Sequence, residues 1–165
     1  IGDFIMSFVR RFVTGSFLAL SLIASPALAE TKMATAELGT LKLSDGWVKV
    51  MIPGAKVAGG YLTIENTGTE ADRLVALKTS FAKKNEIHEM AMNNDIMTMR
   101  PLEDGLDIPA GETVILKPGS FHLMFMGVTD PIEAGEENEI TLVFDKAGEI
   151  TVSFPALEGA MHSGH

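Results

Sequence analysis

The sequence predicts an all-β sandwich or barrel of about eight or nine short strands with little helix, and three observations predict it. Turn signals recur at short intervals: SDG at 44–46, PGAKVAGG at 53–60, NTGTEAD at 66–72, NND at 93–95, EDG at 103–105, PAGE at 109–112, KPGS at 117–120, EAGEEN at 133–138 and KAGE at 146–149. Between them lie short alternating or apolar runs, as sandwiches and barrels require. No stretch after residue 30 keeps a 3.6-residue period over three turns, which excludes a helical core.

In chain order the runs are GWVKVMI, YLTIEN, LVALKT, EIHEMAM, IMTMRPL, TVILKP, FHLMFMGV, EITLVF and EITVSFP. The last two form the clearest hairpin: two β-branched strands joined by DKAG, a Gly-bearing loop. Trp47, a large apolar side chain with one donor to satisfy, is expected in the core, and a wall beside a ligand site is its other reading. There is no internal repeat and no heptad pattern.

The two ends stand apart from this domain. Residues 1–5 read as an upstream remnant ahead of Met6. Residues 6–29 read as a secretory signal: Arg10 and Arg11, an apolar run FVTGSFLALSLIA, and an SPALA ending. The run is short and ends in small residues, which suits a cleaved leader better than a retained membrane anchor. The folded domain is then 30–157, large enough to bury a core without covalent staples. Residues 158–165, with Met161, His162 and His165, read as a flexible polar tail.

Charge and cysteine content remove several function classes. The net charge is −9, and −10 without residues 1–29, which hold Asp3, Arg10 and Arg11. An acidic chain does not suit nucleic acid or anionic lipid, which call for a basic patch. The chain has no cysteine. It therefore carries no disulfide, and any metal site must use His, Met, carboxylate or backbone groups. A blue-copper electron carrier, which needs a Cys thiolate with two His, is excluded. HEMAM at 88–92 is not the zinc-protease HExxH, because no His stands four residues after His88. The chain is read as a binding protein, not an enzyme.

What remains unusual is HEMAMNNDIMTM at 88–99, with four of the ten methionines behind a histidine, and FHLMFM at 121–126 with His122, Met124 and Met126. Side chains alternate along a strand, so His88, Met90 and Met92 share a face. With an even loop at Asn94 and Asp95, Met92 pairs with Met97 and Met90 with Met99, and all five side chains share that face. An odd loop would turn Met97 and Met99 away; the even register is expected. His122, Met124 and Met126 likewise share a face, with His122 and Met124 about 7 Å apart. Imidazole and thioether together favour Cu(I) over Ca²⁺, Mg²⁺ or Zn²⁺. The bland alternative is an extracellular structural or interaction sandwich whose methionines are core filler.

HEM followed by MTMRP, then IPAGETVILKPGSFHLMFMG, resembles the periplasmic copper chaperone family written PCuAC. The Trp47 segment, AGGYLTIENTG and KAGEITVSFP support it, over residues 40 to 155. The resemblance implies a cupredoxin-like Greek-key β-sandwich that binds Cu(I) through His88, Met99, His122 and Met124. The interval from Met99 to His122 differs by a residue from some members. Met90, Met92, Met97 and Met126 stand as alternate sulfur ligands. It further implies a periplasmic, Gram-negative location and copper transfer with partners such as the copper subunit of cytochrome c oxidase and a thioredoxin-like copper chaperone. Some members carry a His- and Met-rich C-terminal extension, which would make Met161, His162 and His165 a secondary Cu(II) site. A copper redox or storage protein is the remaining alternative.

Overall fold

The computed structural model describes residues 32–159, and these contain eleven strands and no helix. The strands are β1 (Ala34–Leu38), β2 (Leu41–Lys49), β3 (Val57–Asn66), β4 (Asp72–Lys78), β5 (Lys84–Asn93), β6 (Ile96–Pro101), β7 (Leu106–Ile108), β8 (Thr113–Leu116), β9 (Phe121–Met126), β10 (Glu137–Phe144) and β11 (Gly148–Leu157). The all-β sandwich is borne out, with eleven strands in place of eight or nine. The two unforeseen strands are β1 and β7. β7 is only three residues long, too short to show an alternation.

Hydrogen bonding links the strands in the order β6-β5-β9-β3-β2-β11-β10-β4-β7, with β1 on β2 and β8 on β3. The path folds into two layers. β1, β2, β3, β5, β6, β8 and β9 form one; β4, β7, β10 and most of β11 form the other. β11 leaves the second layer at its end and runs parallel to β2, pairing Ala156 with Val48 and Leu157 with Lys49. Every other pair is antiparallel.

The core lies between the layers. The first contributes Leu41, Leu43, Val48, Leu62, Ile64, Ile87, Leu123 and Phe125; the second contributes Leu74, Ile108, Ile140, Leu142, Phe144 and Phe154. Each comes from the inward half of a period-2 alternation, as in β3, where Ala58, Gly60, Leu62, Ile64 and Asn66 are buried. Asn66, the polar member, is satisfied: its Nδ2 donates to the Glu70 and Ile108 carbonyls at 2.8 and 3.2 Å, and its Oδ1 accepts from Gly68 N–H. The β10–β11 hairpin closes through Asp145, Lys146 and Ala147, with Gly148 at φ +96°. The Asp72 carboxylate accepts the N–H groups of Lys146 and Ala147 at 2.9 Å each.

Two sequence signals for turns prove to be features inside strands. Val57–Gly60 already belongs to β3. A Cβ on Gly60 would stand 2.9 Å from the Phe125 ring, so glycine lets that ring close over the strand. SDG at 44–46 is an irregularity within β2, where the pairing register with β3 shifts between Ser44 and Trp47 and Asp45 adopts φ +53°. The shift reverses the facing of all that follows. Leu41 and Leu43 point inward before it and Val48 after it. Trp47, which simple alternation from Leu43 sends to the core, therefore lies on the outer face, buried but outside the core cluster.

Candidate functional site

The outer face of the first layer carries the His and Met residues. On β9, Leu123 and Phe125 are fully buried in the core, so His122, Met124 and Met126 project the other way. On β5, Ile87 faces the core, and Glu86, His88 and Met90 face outward. β5 and β9 pair antiparallel with His88 opposite His122 and Glu86 opposite Met124. Directly paired residues point the same way, so two segments more than thirty residues apart place both imidazoles on one surface. β9 in turn pairs with β3, setting Gly59 opposite Met124.

The β5–β6 hairpin has the two-residue loop that the even register requires. Asn94 and Asp95 both have positive φ, +49° and +64°, the type I′ geometry that Asn and Asp tolerate. Met92 pairs with Met97, Met90 with Met99 and His88 with Pro101. Met99 is thereby carried back over β5 to the level of Met90.

The imidazoles are held by their neighbours. His88 and His122 have ring centroids 5.7 Å apart. The Glu86 carboxyl is held below its usual range, first by the hydrogen bond from His88 and then by Lys84, so it is an ionised acceptor. His88 Nε2 lies 2.7 Å from Glu86 Oε2 and must carry the proton in that bond. In the neutral ring this leaves Nδ1 with the lone pair, and Nδ1 is buried without a hydrogen-bond partner. His122 Nδ1 donates to the Ser120 carbonyl at 3.1 Å, which leaves its Nε2 with the lone pair. Burial pushes His122 below the usual imidazole range, favouring that neutral form. Each ring thus has one nitrogen anchored and one free, the arrangement that orients metal-binding histidines.

Met90, Met99, His122 and Met124 open onto one pocket of about 230 Å³, with Val57, Ala58, Gly59, Tyr61, Pro118 and Gly119 completing its wall. His88 is not in that wall; it packs beside His122. Met126 shares the face but pairs with Val57 and Lys84 at the far end of β9 and does not line the pocket. Met92 and Met97 stand beyond it near the hairpin turn, 63% and 52% exposed. Met161, His162 and His165 lie outside the described residues. Among the described residues no three His, Asp or Glu side chains converge as a metal cluster.

Sequence reasoning missed Glu86, Tyr61 and Gly59. Glu86 had a legible signal, standing two residues before His88 and so on its face. Tyr61 lines the pocket, and Trp47 packs behind it with ring centroids 4.6 Å apart. Trp47 thus backs the pocket wall. A Cβ on Gly59 would meet the Tyr61 hydroxyl at 3.0 Å, a tight contact, so glycine leaves room for this ring to lie back along β3.

Fold and face together define a PCuAC-type β-sandwich. The chain superimposes on the apo PCuAC domain from PmoF1 with TM-score 0.64 and 28% identity, covering 74% of this chain and 98% of that one. It matches the copper-bound PCuAC domain from PmoF2 with TM-score 0.65 and 25% identity, over 78% and 100%. The Cu(I) form of DR1885 from Deinococcus radiodurans, at TM-score 0.55 and 23% identity over 75% and 80%, shares the fold. The resemblance read from the His and Met runs is borne out by these neighbours. The chain belongs to the LpqE-like family of putative lipoproteins, whose model matches residues 41–156. A putative lipoprotein of Leifsonia xyli subsp. xyli, Lxx21020, is 35% identical over 130 residues, 79% of this chain and 76% of that protein.

Proposed function

We propose that this chain is an exported copper carrier that holds Cu(I) through His88, Met99, His122 and Met124 and passes it on without turnover chemistry. The observation that carries the reading is the convergence of the Met99, His122 and Met124 side chains on one pocket, beside a buried, unpartnered His88 nitrogen. Nothing in that wall is a carboxylate, so the donor set is soft and neutral and suits a monovalent soft ion. Met90 lines the same pocket and is the nearest spare sulfur.

Neutral thioethers release an ion without a proton having to arrive, and an open pocket lets an acceptor's ligands enter one at a time. These properties suit transfer between proteins. The copper named in the PmoF2 structure, and the Cu(I) named in the DR1885 structure, agree with this cargo. Export follows from the leader-like residues 6–29 and the lipoprotein-like family; the periplasm is the compartment proposed. No helix of the described residues is long and apolar enough to cross a membrane. The receiving partner proposed is a respiratory copper protein such as the copper subunit of cytochrome c oxidase, with a thioredoxin-like copper protein beside it.

The test is a competition titration against a coloured Cu(I) chelator in the presence of reductant. One tight equivalent withdrawn per chain is expected. A chain that leaves the chelator fully metallated at every ratio contradicts the proposal.

A further inference from the structure

The distal end of the β5–β6 hairpin is unaccounted for by the pocket. β5 pairs with β9 only as far as Glu89 opposite Phe121, with one further bond from Met90 N–H to the Ser120 carbonyl. Beyond that point β5 and β6 pair only with each other. This free-standing ribbon exposes Met92, Ile96 and Met97 by 63%, 65% and 52%, among the most exposed large apolar side chains described. Burial does not explain them.

Their register is specific. The pairs His88–Pro101, Met90–Met99 and Met92–Met97 step by two along an unbroken ladder, so all three belong to the same pair class. Pro101 has no N–H, so its pair with His88 cannot exchange both backbone hydrogen bonds. All three are therefore non-hydrogen-bonded pairs, the class in which facing side chains come closest, with Cα atoms about 4.5 Å apart. The hairpin thus carries two thioether pairs on one face, about 7 Å apart along the strands. The inner pair, Met90 and Met99, lines the pocket; the outer pair, Met92 and Met97, stands in solvent.

We infer that Met92 and Met97 form a second, weaker Cu(I) station at the hairpin end, which receives the ion and passes it inward through Met90 and Met99 to the histidine pocket. This deepens the copper reading above and rests on it. Two neutral thioethers select a soft monovalent ion but lack the imidazoles that strengthen the pocket. Transfer is ligand exchange alone: one Cu–S contact forms as another breaks, with no change of charge or oxidation state. Because the Met90–Met99 pair belongs to both neighbourhoods, the ion never has to cross open water between them.

The experiment labels the methionine ε-methyl groups with carbon-13 in the full chain and titrates Cu(I) under reductant, following each methyl by NMR. The Met99 and Met124 signals should move with the first equivalent. Those of Met92 and Met97 should move with further Cu(I), at an affinity about tenfold or more lower. The double substitution Met92→Leu, Met97→Leu keeps apolar volume and removes sulfur. It should abolish the second event, leave the first unchanged and slow uptake from a Cu(I) donor. Met92 and Met97 signals that stay at their metal-free positions through excess Cu(I) overturn the proposal. So does a double variant with wild-type uptake, which would make the hairpin end a merely apolar contact surface. A response of Met92 and Met97 without one from Met99 and Met124 would instead contradict the pocket reading and leave the outer station standing.

Discussion

Replacing Met99 and Met124 together by Leu separates the role of sulfur from the role of volume. Met99 is 49% exposed and Met124 only partly buried, so neither swap opens a cavity. Volume-conserving apolar exchanges of this kind cost less than about 1.5 kcal/mol, and the half-exposed Met99 contributes the smaller share. Without metal the variant should therefore unfold within a few degrees of wild type. The difference appears on adding Cu(I). An ion bound only by the folded state, at a free concentration a hundred times its dissociation constant, stabilises by about 2.7 kcal/mol. For a domain of this length that raises Tm by about 10 °C. Thermal unfolding with reductant, with and without Cu(I), should show that rise in wild type and lose most of it in the variant. An equal rise in both would refute the assignment of these two sulfurs.

Three further outcomes are expected. Glu86→Gln removes the ionised acceptor that orients His88, and should lower Cu(I) affinity about 10- to 100-fold in a chelator competition while leaving the unfolding midpoint of the metal-free chain near wild type. Burial raises the Asp72 pKa, but backbone hydrogen bonds from Lys146, Arg73 and Ala147 outweigh it and hold the carboxyl below its usual range. Its stabilisation is therefore present above the ordinary carboxyl pKa and lost as pH falls through the lower folded value. Asp72→Asn should cost about 1.5 kcal/mol in urea unfolding at pH 7, with the gap to wild type closing in acid. Gly60→Ala sets a methyl 2.9 Å from Phe125 and 3.3 Å from Leu123 Cβ, and overpacking of this kind should cost about 1–3 kcal/mol by the same measurement.

The sequence was most legible where local rules decide the structure. Asn94 and Asp95 accept positive φ, so the two-residue turn, and with it the pairing of Met90 with Met99, could be read from NND and the spacing of the methionines. The β10–β11 hairpin was legible for the same reason. Legibility failed where one residue changes the parity of a strand. SDG has the composition of a turn, yet it interrupts β2 without ending it, and Trp47 moves from the expected core to the back of the pocket wall. β1 and β7 were missed because they are short, five and three residues, and β7 pairs with β4, a strand more than thirty residues away in sequence. The direct pairing of His88 with His122 depends on how β5 meets β9, which no local pattern encodes.

Copper-edge X-ray absorption on the reduced, singly loaded protein counts sulfur and nitrogen neighbours around the ion directly. Two nitrogen and two sulfur neighbours are expected, from His88, His122, Met99 and Met124. A shell of nitrogen and oxygen alone would contradict the soft His–Met pocket on which the copper reading stands.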